Sequence, residues 1–433
     1  MNKEKSFSNV VLHIDADCFF VSCELAKEPK LRGRVVVTGM ERGIVSALSY
    51  EAKAKGIKRG MPLGEVKKIC PQVICIPSDY ETYSLYSKRM FNIVRRYTSV
   101  VEEYSIDECF ADLSGLDKLY NKSFLEIASE IKDTLDKELG FSFSLGLAPT
   151  KTLAKIASKW NKPSGLTVIK KEDINNYLKN LKLEDVWGIG KQTTKKLNNL
   201  GLYTAFDYVN KSYGYIKTRL FKPQYEIWQE LRGIMVYKLN PELKDNYYSI
   251  SKTKTFTPTI NNYDYVFSQL SKNVENACIK LRRHNLVTKS IFFFLKTQSF
   301  NYQTLEIKLL RSSNNPIEII REIDKKFRDI YSPYRMYRAS GVVFSKLIKD
   351  TFCQTDIFLE SLKNDKLNRI FLGLDKVSKK YGKHSVFLGS SFQAIVVNSN
   401  TIKTHRDVKA NRESFKGERG RKRIAIPYLG KVS

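Results

Sequence analysis

The first part of the chain alternates short apolar runs with segments of helical periodicity. Residues 10–15, VVLHID, form an apolar run that ends in an acid, which predicts a buried strand. A second run at 34–39, RVVVTG, precedes GIVSALSYEAKAKGIKRG, which predicts a strand and then a helix stopped by glycines. Residues 100–115, VVEEYSIDECFADLSG, alternate as the strands of a hairpin do.

Helical spacing returns between residues 80 and 97, where one apolar stripe is interpreted as core: Tyr83, Tyr86, Met90, Ile93 and Val94. Residues 125–140 predict an amphipathic helix that ends at Gly140, and residues 141–148 predict a strand. Thr150 can then cap a further helix, KTLAKIASKW. Strands that alternate with helices in this way indicate an α/β or α+β domain.

The second half has a different pattern. Residues 170–240 predict short helices, and residues 241–250 read as a linker. A β-rich region follows, with helices at 264–284 and 316–330. After residue 347 comes a tail with one helical stretch at 361–381 and a final segment rich in Lys and Arg. The fold class predicted for the whole chain is therefore α+β with several domains.

Length and charge narrow the functional classes. A chain of 433 residues suggests two to four domains. The 74 Lys and Arg against 45 Asp and Glu give a formal net charge of +29, which indicates a polyanionic partner. No apolar run is long enough to span a bilayer, and the N-terminus lacks the features of a secretory signal. We therefore expect a nucleic acid partner rather than a membrane.

The cysteines and histidines also restrict the chemistry. Seven cysteines without a C-x-x-C spacing argue against a disulfide scaffold or a zinc site and fit a reducing cytoplasm. Four scattered histidines give little support to histidine-based acid–base catalysis.

Acidic residues are the candidate chemistry. Asp15 and Asp17 are two positions apart at the end of a strand and so face the same way. Asp107 and Glu108 are adjacent, so both can reach one site only where the backbone bends. Buried carboxylates need a compensating cation, which leaves two alternatives. One is a salt bridge to Lys or Arg; the other is a pair of Mg²⁺ ions held by oxygen ligands.

Five segments occur in an order that resembles the Y-family, or translesion, DNA polymerases, with UmuC-like and DinB-like features. They are VVLHIDADCFFVSCE, IVSALSYEAKAKGIKRGMPL, YSIDECFADLSG, LGLAPTKTLAKIASKWNKPSG and VWGIGKQTTKKLNNLGL. The resemblance implies a right-hand polymerase with a β-rich fourth domain. Its implied parts are a palm (1–19 and 81–168), fingers (20–80), a helical thumb (169–240), a linker (241–250), a little finger (251–346) and a tail (347–433).

The resemblance also implies roles for individual residues. Asp15, Asp107 and Glu108 match the metal-binding carboxylates, and the backbone carbonyl of Ala16 would be a further ligand. For Asp17, a supporting hydrogen-bond role is as plausible as ligation.

The positions that match nucleotide contacts are Phe20, Tyr50, Lys53 and Lys162. Phe20 is at the steric-gate position, where an aromatic ring excludes a ribose 2′-hydroxyl. The other three would grip the triphosphate. Many relatives have Arg at Lys53, and Lys keeps the charge without bidentate geometry.

DNA contacts are expected in two places. Gly188 and Gly190 precede a helix that begins with Lys191, and this resembles a helix-hairpin-helix that holds the duplex backbone. Lys252 and Lys254 open the β-rich region and would add phosphate contacts.

Residues 354–358, QTDIF, resemble the motif with which bacterial polymerases bind the sliding clamp. Gln354, Ile357 and Phe358 would make that contact; alternatively, the two apolar residues anchor the tail to its own domain.

The resemblance therefore implies a low-fidelity, template-directed translesion DNA polymerase without proofreading, which acts in DNA repair and the SOS response. It would extend primer–template DNA with dNTPs, using two Mg²⁺ ions, with SOS accessory subunits as further partners. The alternatives are a nucleotidyl cyclase on a similar palm and a non-catalytic relative that binds DNA and recruits repair partners.

Overall fold

The computed structural model describes residues 9–242, 247–350, 360–381 and 384–397. The chain divides into two compact units, with the boundary between residues 243 and 244. That boundary falls inside the predicted linker.

The strands of the first unit form two sheets. Their bounds are β1 Val11–Ala16, β2 Val36–Thr38, β3 Ala47–Leu48, β4 Ile74–Ile76, β5 Val101–Glu103, β6 Glu108–Asp112, β7 Phe143–Ala148 and β8 Leu166–Val168. The larger sheet has the order β5-β6-β1-β7-β8, with β1 antiparallel to both neighbours. The smaller sheet has the order β3-β2-β4 and its own core.

The helices of the first unit confirm most of the predicted pattern. Their bounds are α1 Phe19–Lys27, α2 Tyr50–Ala54, α3 Leu63–Ile69, α4 Tyr80–Val94, α5 Leu116–Tyr120, α6 Phe124–Leu139, α7 Lys151–Trp160, α8 Ile174–Leu178, α9 Lys191–Asn199, α10 Ala205–Val209, α11 Tyr213–Arg219 and α12 Lys222–Leu231. Helix α6 has a Ser123–Glu126 capping box and ends at Gly140, which has a left-handed φ of 77°. The Thr150 hydroxyl caps α7 as predicted.

The two faces of the larger sheet have different coverings. Leu12, Ile14 and Ala16 of β1 pack in one core with residues of α4 and α6, including the predicted Tyr83–Val94 stripe. The alternate residues of β1 face α7, where Val11 packs and where the His13 ring bonds to Ser158. Asp15 lies on this second face, at the end of the strand. The fold therefore places the candidate acid beside α7.

Gly146 of β7 allows α7 to lie unusually close to the sheet. A β-carbon at this position would be 2.1 Å from the carbonyl oxygen of Ala154 and 2.2 Å from the amide nitrogen of Ser158. Because both atoms are backbone, only a glycine fits without moving the helix.

The second unit is one antiparallel sheet packed against helices. Its elements are β9 Ser249–Ile260, α13 Tyr263–Arg283, β10 Leu286–Thr297, β11 Tyr302–Ser313, α14 Pro316–Ile330, β12 Tyr337–Lys349 and α15 Glu360–Tyr381, and the strand order is β11-β10-β12-β9. Helices α13 and α14 build the core with the sheet. Arg282 joins α15 to this core through two contacts to the Asp375 carboxylate, at 2.7 and 2.8 Å.

Candidate active site

Asp15 is the one acidic residue of β1, and its neighbours on the adjacent strands are polar. Its Cα partners are Glu108 on β6 and Ser144 on β7. The Lys162 ammonium lies 2.5 Å from one Asp15 oxygen, and the Asp15 side chain is 17% exposed. Burial raises the pKa of Asp15, and the attraction of the Lys162 ammonium opposes that rise without cancelling it. Asp15 is thus a partly buried carboxylate with a lysine as its present counterion.

The backbone bends just before Glu108, as the adjacent acids require. Residues 105–107 form the bend between β5 and β6, and the amides of Tyr104 and Ser105 both donate to the Glu108 carbonyl. The Asp107 carbonyl accepts the amide of Ala16 at 2.9 Å, which fastens the bend to the end of β1. The Ser105 hydroxyl donates to the Asp107 carboxylate. Asp107 is therefore held at the end of the strand that carries Asp15.

Glu108 lies on the same face as Asp15 and has two partners of its own. Its carboxylate accepts from the Lys155 ammonium, at 2.8 Å to each oxygen, and from His13 Nε2 at 3.2 Å. Burial alone would raise the pKa of Glu108, but the hydrogen bonds from His13 and Lys155 outweigh it and lower the pKa to about 2. Glu108 is ionised at neutral pH and fixed in orientation.

Asp17 has the hydrogen-bond role that was one of its two predicted alternatives. It is 1% exposed, and its carboxylate accepts four hydrogen bonds from the chain. The donors are the hydroxyls of Tyr50, Ser142 and Ser144 and the amide of Ser164, at 3.2, 3.0, 2.8 and 2.8 Å. These hydrogen bonds tie the residue that follows β1 to α2, to β7 and to the segment before β8.

The predicted nucleotide contacts converge on the same place. The Tyr50 hydroxyl donates to Asp17, the Lys53 ammonium lies 4.6 Å from the centre of the Tyr50 ring, and Lys162 reaches Asp15. Three cationic or polar side chains predicted to grip phosphates are thus gathered beside the acids.

Phe20 lies in the first turn of α1 and is held by aromatic neighbours. Its ring stacks on Tyr83 at a centroid distance of 4.5 Å and meets the Tyr80 ring edge-on at 5.6 Å. The Tyr83 hydroxyl in turn donates to Glu24 at 2.8 Å in a buried position. This packing fixes the plane of the Phe20 ring. A side chain that excludes a group by steric contact requires such a fixed orientation.

The glycine turn has the geometry that its sequence suggested. Gly188 has a left-handed φ of 88°, and a β-carbon there would lie 2.6 Å from the Ile227 side chain. Gly190 is the N-cap of α9, and the exposed Lys191 is its first residue. In the second unit, Lys252 and Lys254 lie on β9. The residues Gln354, Ile357 and Phe358 lie outside the described residues.

Several site residues were not found from sequence. His13 and Lys155 contact Glu108, while Ser142 and Ser144 contact Asp17, over separations of more than 45 residues. His13 lies two positions before Asp15 on the same strand, and this spacing could have indicated that His13 faces the acidic cluster. The serines carried none.

The chemistry of the donor set fits divalent cations. Asp15 and Glu108 offer hard, partly buried oxygens across two paired strands, with Asp107 on the adjoining bend. Two ammonium groups already occupy cation positions at this cluster. Within the part of the chain that the structure describes, no three His, Cys, Asp or Glu side chains converge as a ready metal site. The carboxylates would have to exchange lysine partners for a metal. Among those same residues, no helix is long and apolar enough to span a membrane.

Comparisons with known proteins agree with the geometry. The profile described as "impB/mucB/samB family" matches residues 14–159, its C-terminal domain matches residues 248–357, and "IMS family HHH motif" matches residues 171–202. The last match contains the glycine turn and α9.

Curated relatives match most of the chain. DNA polymerase IV of Bacillus velezensis is 30% identical over 95% of this chain and 99% of its own length. DNA polymerase IV of Lactococcus lactis is 32% identical over 78% of this chain and 94% of its own. Among solved structures, the "Y-family DNA polymerase chimera Dbh-Dpo4(243-245)-Dbh" is 25% identical, with a TM-score of 0.65, and covers 78% of this chain and 99% of its own.

Proposed function

Because the chain belongs to the impB/mucB/samB family of Y-family DNA polymerases, we propose that it is a template-directed DNA polymerase of the translesion type. The observation that carries the proposal is the pairing of Asp15 with Glu108 across β1 and β6, with Asp107 on the bend between β5 and β6. The reaction is in-line attack of a primer 3′-hydroxyl on the α-phosphate of a dNTP, with pyrophosphate as the leaving group.

Asp15, Asp107, Glu108 and the carbonyl of Ala16 are the proposed ligands of two Mg²⁺ ions. When bound, such ions lower the pKa of the attacking hydroxyl and neutralise charge on the phosphates. Glu108 contributes a carboxylate that stays ionised, since its pKa is about 2. Asp17 keeps the end of β1 in place through its four donors.

Lys162, Lys53 and Tyr50 are proposed to bind the triphosphate. Lys162 is paired with Asp15 in this structure, so a phosphate group offers it an alternative anionic partner. Lys53 and Tyr50 support each other through the cation–ring contact. Phe20 is the proposed steric gate, and its ring is kept in place by Tyr83 and Tyr80.

The proposed domains follow from the elements. The palm is the five-stranded sheet, formed by residues 1–19 and 81–168; the fingers are the three-stranded sheet and its helices at 20–80; the thumb is the helical segment 169–240. After the linker at 241–250, the proposed little finger is 251–346, and the tail follows from 347. The four-stranded sheet itself runs from Ser249 to Lys349, so it extends two residues into that linker and three into that tail. Gly188, Gly190 and Lys191 would hold the duplex backbone, with Lys252 and Lys254 adding phosphate contacts.

Partners beyond DNA and dNTPs are also part of the proposal. A sliding clamp would bind Gln354, Ile357 and Phe358, and the enzyme would act in the cytoplasm during the SOS response with accessory subunits. Low fidelity and an absence of proofreading belong to the same proposal.

One observation favours a second candidate, a non-catalytic relative that binds DNA and recruits repair partners. Lys155 and Lys162 already neutralise Glu108 and Asp15, so the cluster is satisfied as a set of salt bridges. A chain that never exchanges these lysines for metal would bind DNA without extending it.

Primer extension with the purified full chain tests the proposal. We expect wild type to extend a primed template in Mg²⁺, and Asp107→Ala to lose extension by about 100-fold or more while binding the template equally well. Asp112→Ala is the matched control, because Asp112 lies at the far end of β6 and its carboxylate accepts only the Ser114 amide among the contacts described, at 2.9 Å. If wild type and Asp107→Ala bind equally and extend equally poorly, the polymerase is refuted and the binding relative remains.

A further inference from the structure

Lys155 is a buried lysine whose ammonium forms an ion pair with Glu108 at the candidate active site. It lies in the middle of α7 and is 8% exposed. Its ammonium is 2.8 Å from each oxygen of Glu108, so both oxygens are held by one group. A carboxylate held in this way cannot rotate freely about its last bond.

Two aromatic rings contact the same ammonium. The centre of the Tyr104 ring is 4.5 Å away and that of Trp187 is 5.5 Å away. The rings are themselves joined, since Trp187 Nε1 donates to the Tyr104 hydroxyl at 3.0 Å. Rings at these distances attract a cation and keep water from it, so the ammonium stays in place and the carboxylate follows.

His13 completes the support from the other side. Its Nε2 contacts Glu108, while its Nδ1 lies 2.7 Å from the Ser158 hydroxyl, one turn beyond Lys155 on α7. Helix α7 therefore supports Glu108 directly through Lys155 and indirectly through His13.

We propose that Lys155 is a positioning residue for Glu108, and that its charge limits how strongly the acidic cluster binds divalent cations. This rests on the proposed function, in which Glu108 is a metal ligand. Lys155 holds the carboxylate in one orientation, and a cation that binds Glu108 must compete with the ammonium. The rings of Tyr104 and Trp187 then keep the Lys155 ammonium close to Glu108 as a fixed positive charge.

The chain contains a matched control one turn earlier on the same helix. Lys151 is 5% exposed, its ammonium lies 2.6 Å from Glu102, and it sits 4.9 Å from the Phe110 ring. It repeats the burial, the ion pair and the ring contact of Lys155, with a carboxylate outside the candidate metal cluster. A purely structural role predicts the same result for both lysines.

The experiment compares Lys155→Met with Lys151→Met in the full chain. Mn²⁺ binding is measured by electron paramagnetic resonance without nucleotide, and kcat and the dNTP KM are measured by primer extension. We expect Lys155→Met to bind Mn²⁺ three- to tenfold more tightly, because a fixed positive charge is removed. We also expect kcat to fall about tenfold with KM changed less than twofold, because Glu108 loses its orientation. Lys151→Met should lower the melting temperature and leave the Mn²⁺ affinity and kcat unchanged.

A double variant covers the case in which Lys155→Met alone does not fold. Glu108→Gln with Lys155→Met removes both charges, which a buried pair tolerates better than the loss of one partner. Because Lys155 acts through Glu108, the double variant should have the same kcat as Glu108→Gln alone. A kcat of the double variant that is a further tenfold lower overturns the proposal. Unchanged or weaker Mn²⁺ binding by Lys155→Met also overturns it. Failure of wild type to extend a primer refutes the proposed function instead, which is a different result.

Discussion

Gly146→Ala is the sharpest test of how the fold builds this site. The added methyl group would lie 2.1 Å from the Ala154 carbonyl oxygen, whereas ordinary contacts begin near 3.4 Å. The missing separation of 1.3 Å can come only from movement of α7 or β7, because the opposing atoms are backbone. Overpacking of this kind costs about 3 kcal/mol in the free energy of unfolding. It also draws Lys155 and Ser158 away from Glu108 and His13.

Urea denaturation followed by tryptophan fluorescence measures that cost. The three tryptophans, Trp160, Trp187 and Trp228, all lie in the first unit, so the signal reports on the unit that contains Gly146. We expect Gly146→Ala to lower the free energy of unfolding by about 3 kcal/mol and to reduce primer extension in parallel.

Gly214→Ala is the control for adding one methyl group. Gly214 lies inside α11, and a β-carbon there meets nothing within 4 Å. Alanine should therefore stabilise the first unit by about 0.5–1 kcal/mol through its higher helix propensity. If Gly146→Ala were as stable as wild type, α7 would not be in tight contact with the sheet, and the account of how Lys155 reaches Glu108 would fail.

Three further predictions address the nucleotide, the partner and the pH. Phe20→Ala should raise incorporation of ribonucleotides relative to deoxyribonucleotides, and an unchanged ratio would remove the steric-gate assignment. Replacing Ile357 and Phe358 by Ala should abolish clamp pull-down and leave clamp-free extension intact; retained pull-down would show that QTDIF is not the contact. The pKa of Glu108 is lowered from 4.5 to about 2, so the stability it contributes, about 3 kcal/mol, is complete above pH 4.5 and lost as the pH falls toward 2. Urea titrations of wild type and Glu108→Gln should therefore converge over that window, and parallel curves would contradict the shift.

The sequence predicted the elements that carry the acids because their patterns are local. The run VVLHID became β1, the alternation around YSIDECF became β5 and β6 with a bend between them, and Gly140 ended α6. The sequence motifs also indicated the protein family, and the comparisons confirmed it.

What the sequence could not give was the partner of each acid. Lys155 lies 47 residues from Glu108, and Ser144 lies 127 residues from Asp17. Such contacts depend on strand order and on how closely α7 approaches the sheet, and no periodicity records either one.

The ion pair between Lys162 and Asp15 implies a thermodynamic reciprocity between the two ligands of the enzyme. If the triphosphate takes Lys162 as its counterion, it releases the Asp15 carboxylate; if a divalent cation takes Asp15, it releases the Lys162 ammonium. Each ligand then lowers the cost of binding the other by the same factor, because coupling between two sites is symmetric. The resting enzyme would thus have a weak affinity for either ligand alone and a strong affinity for the pair.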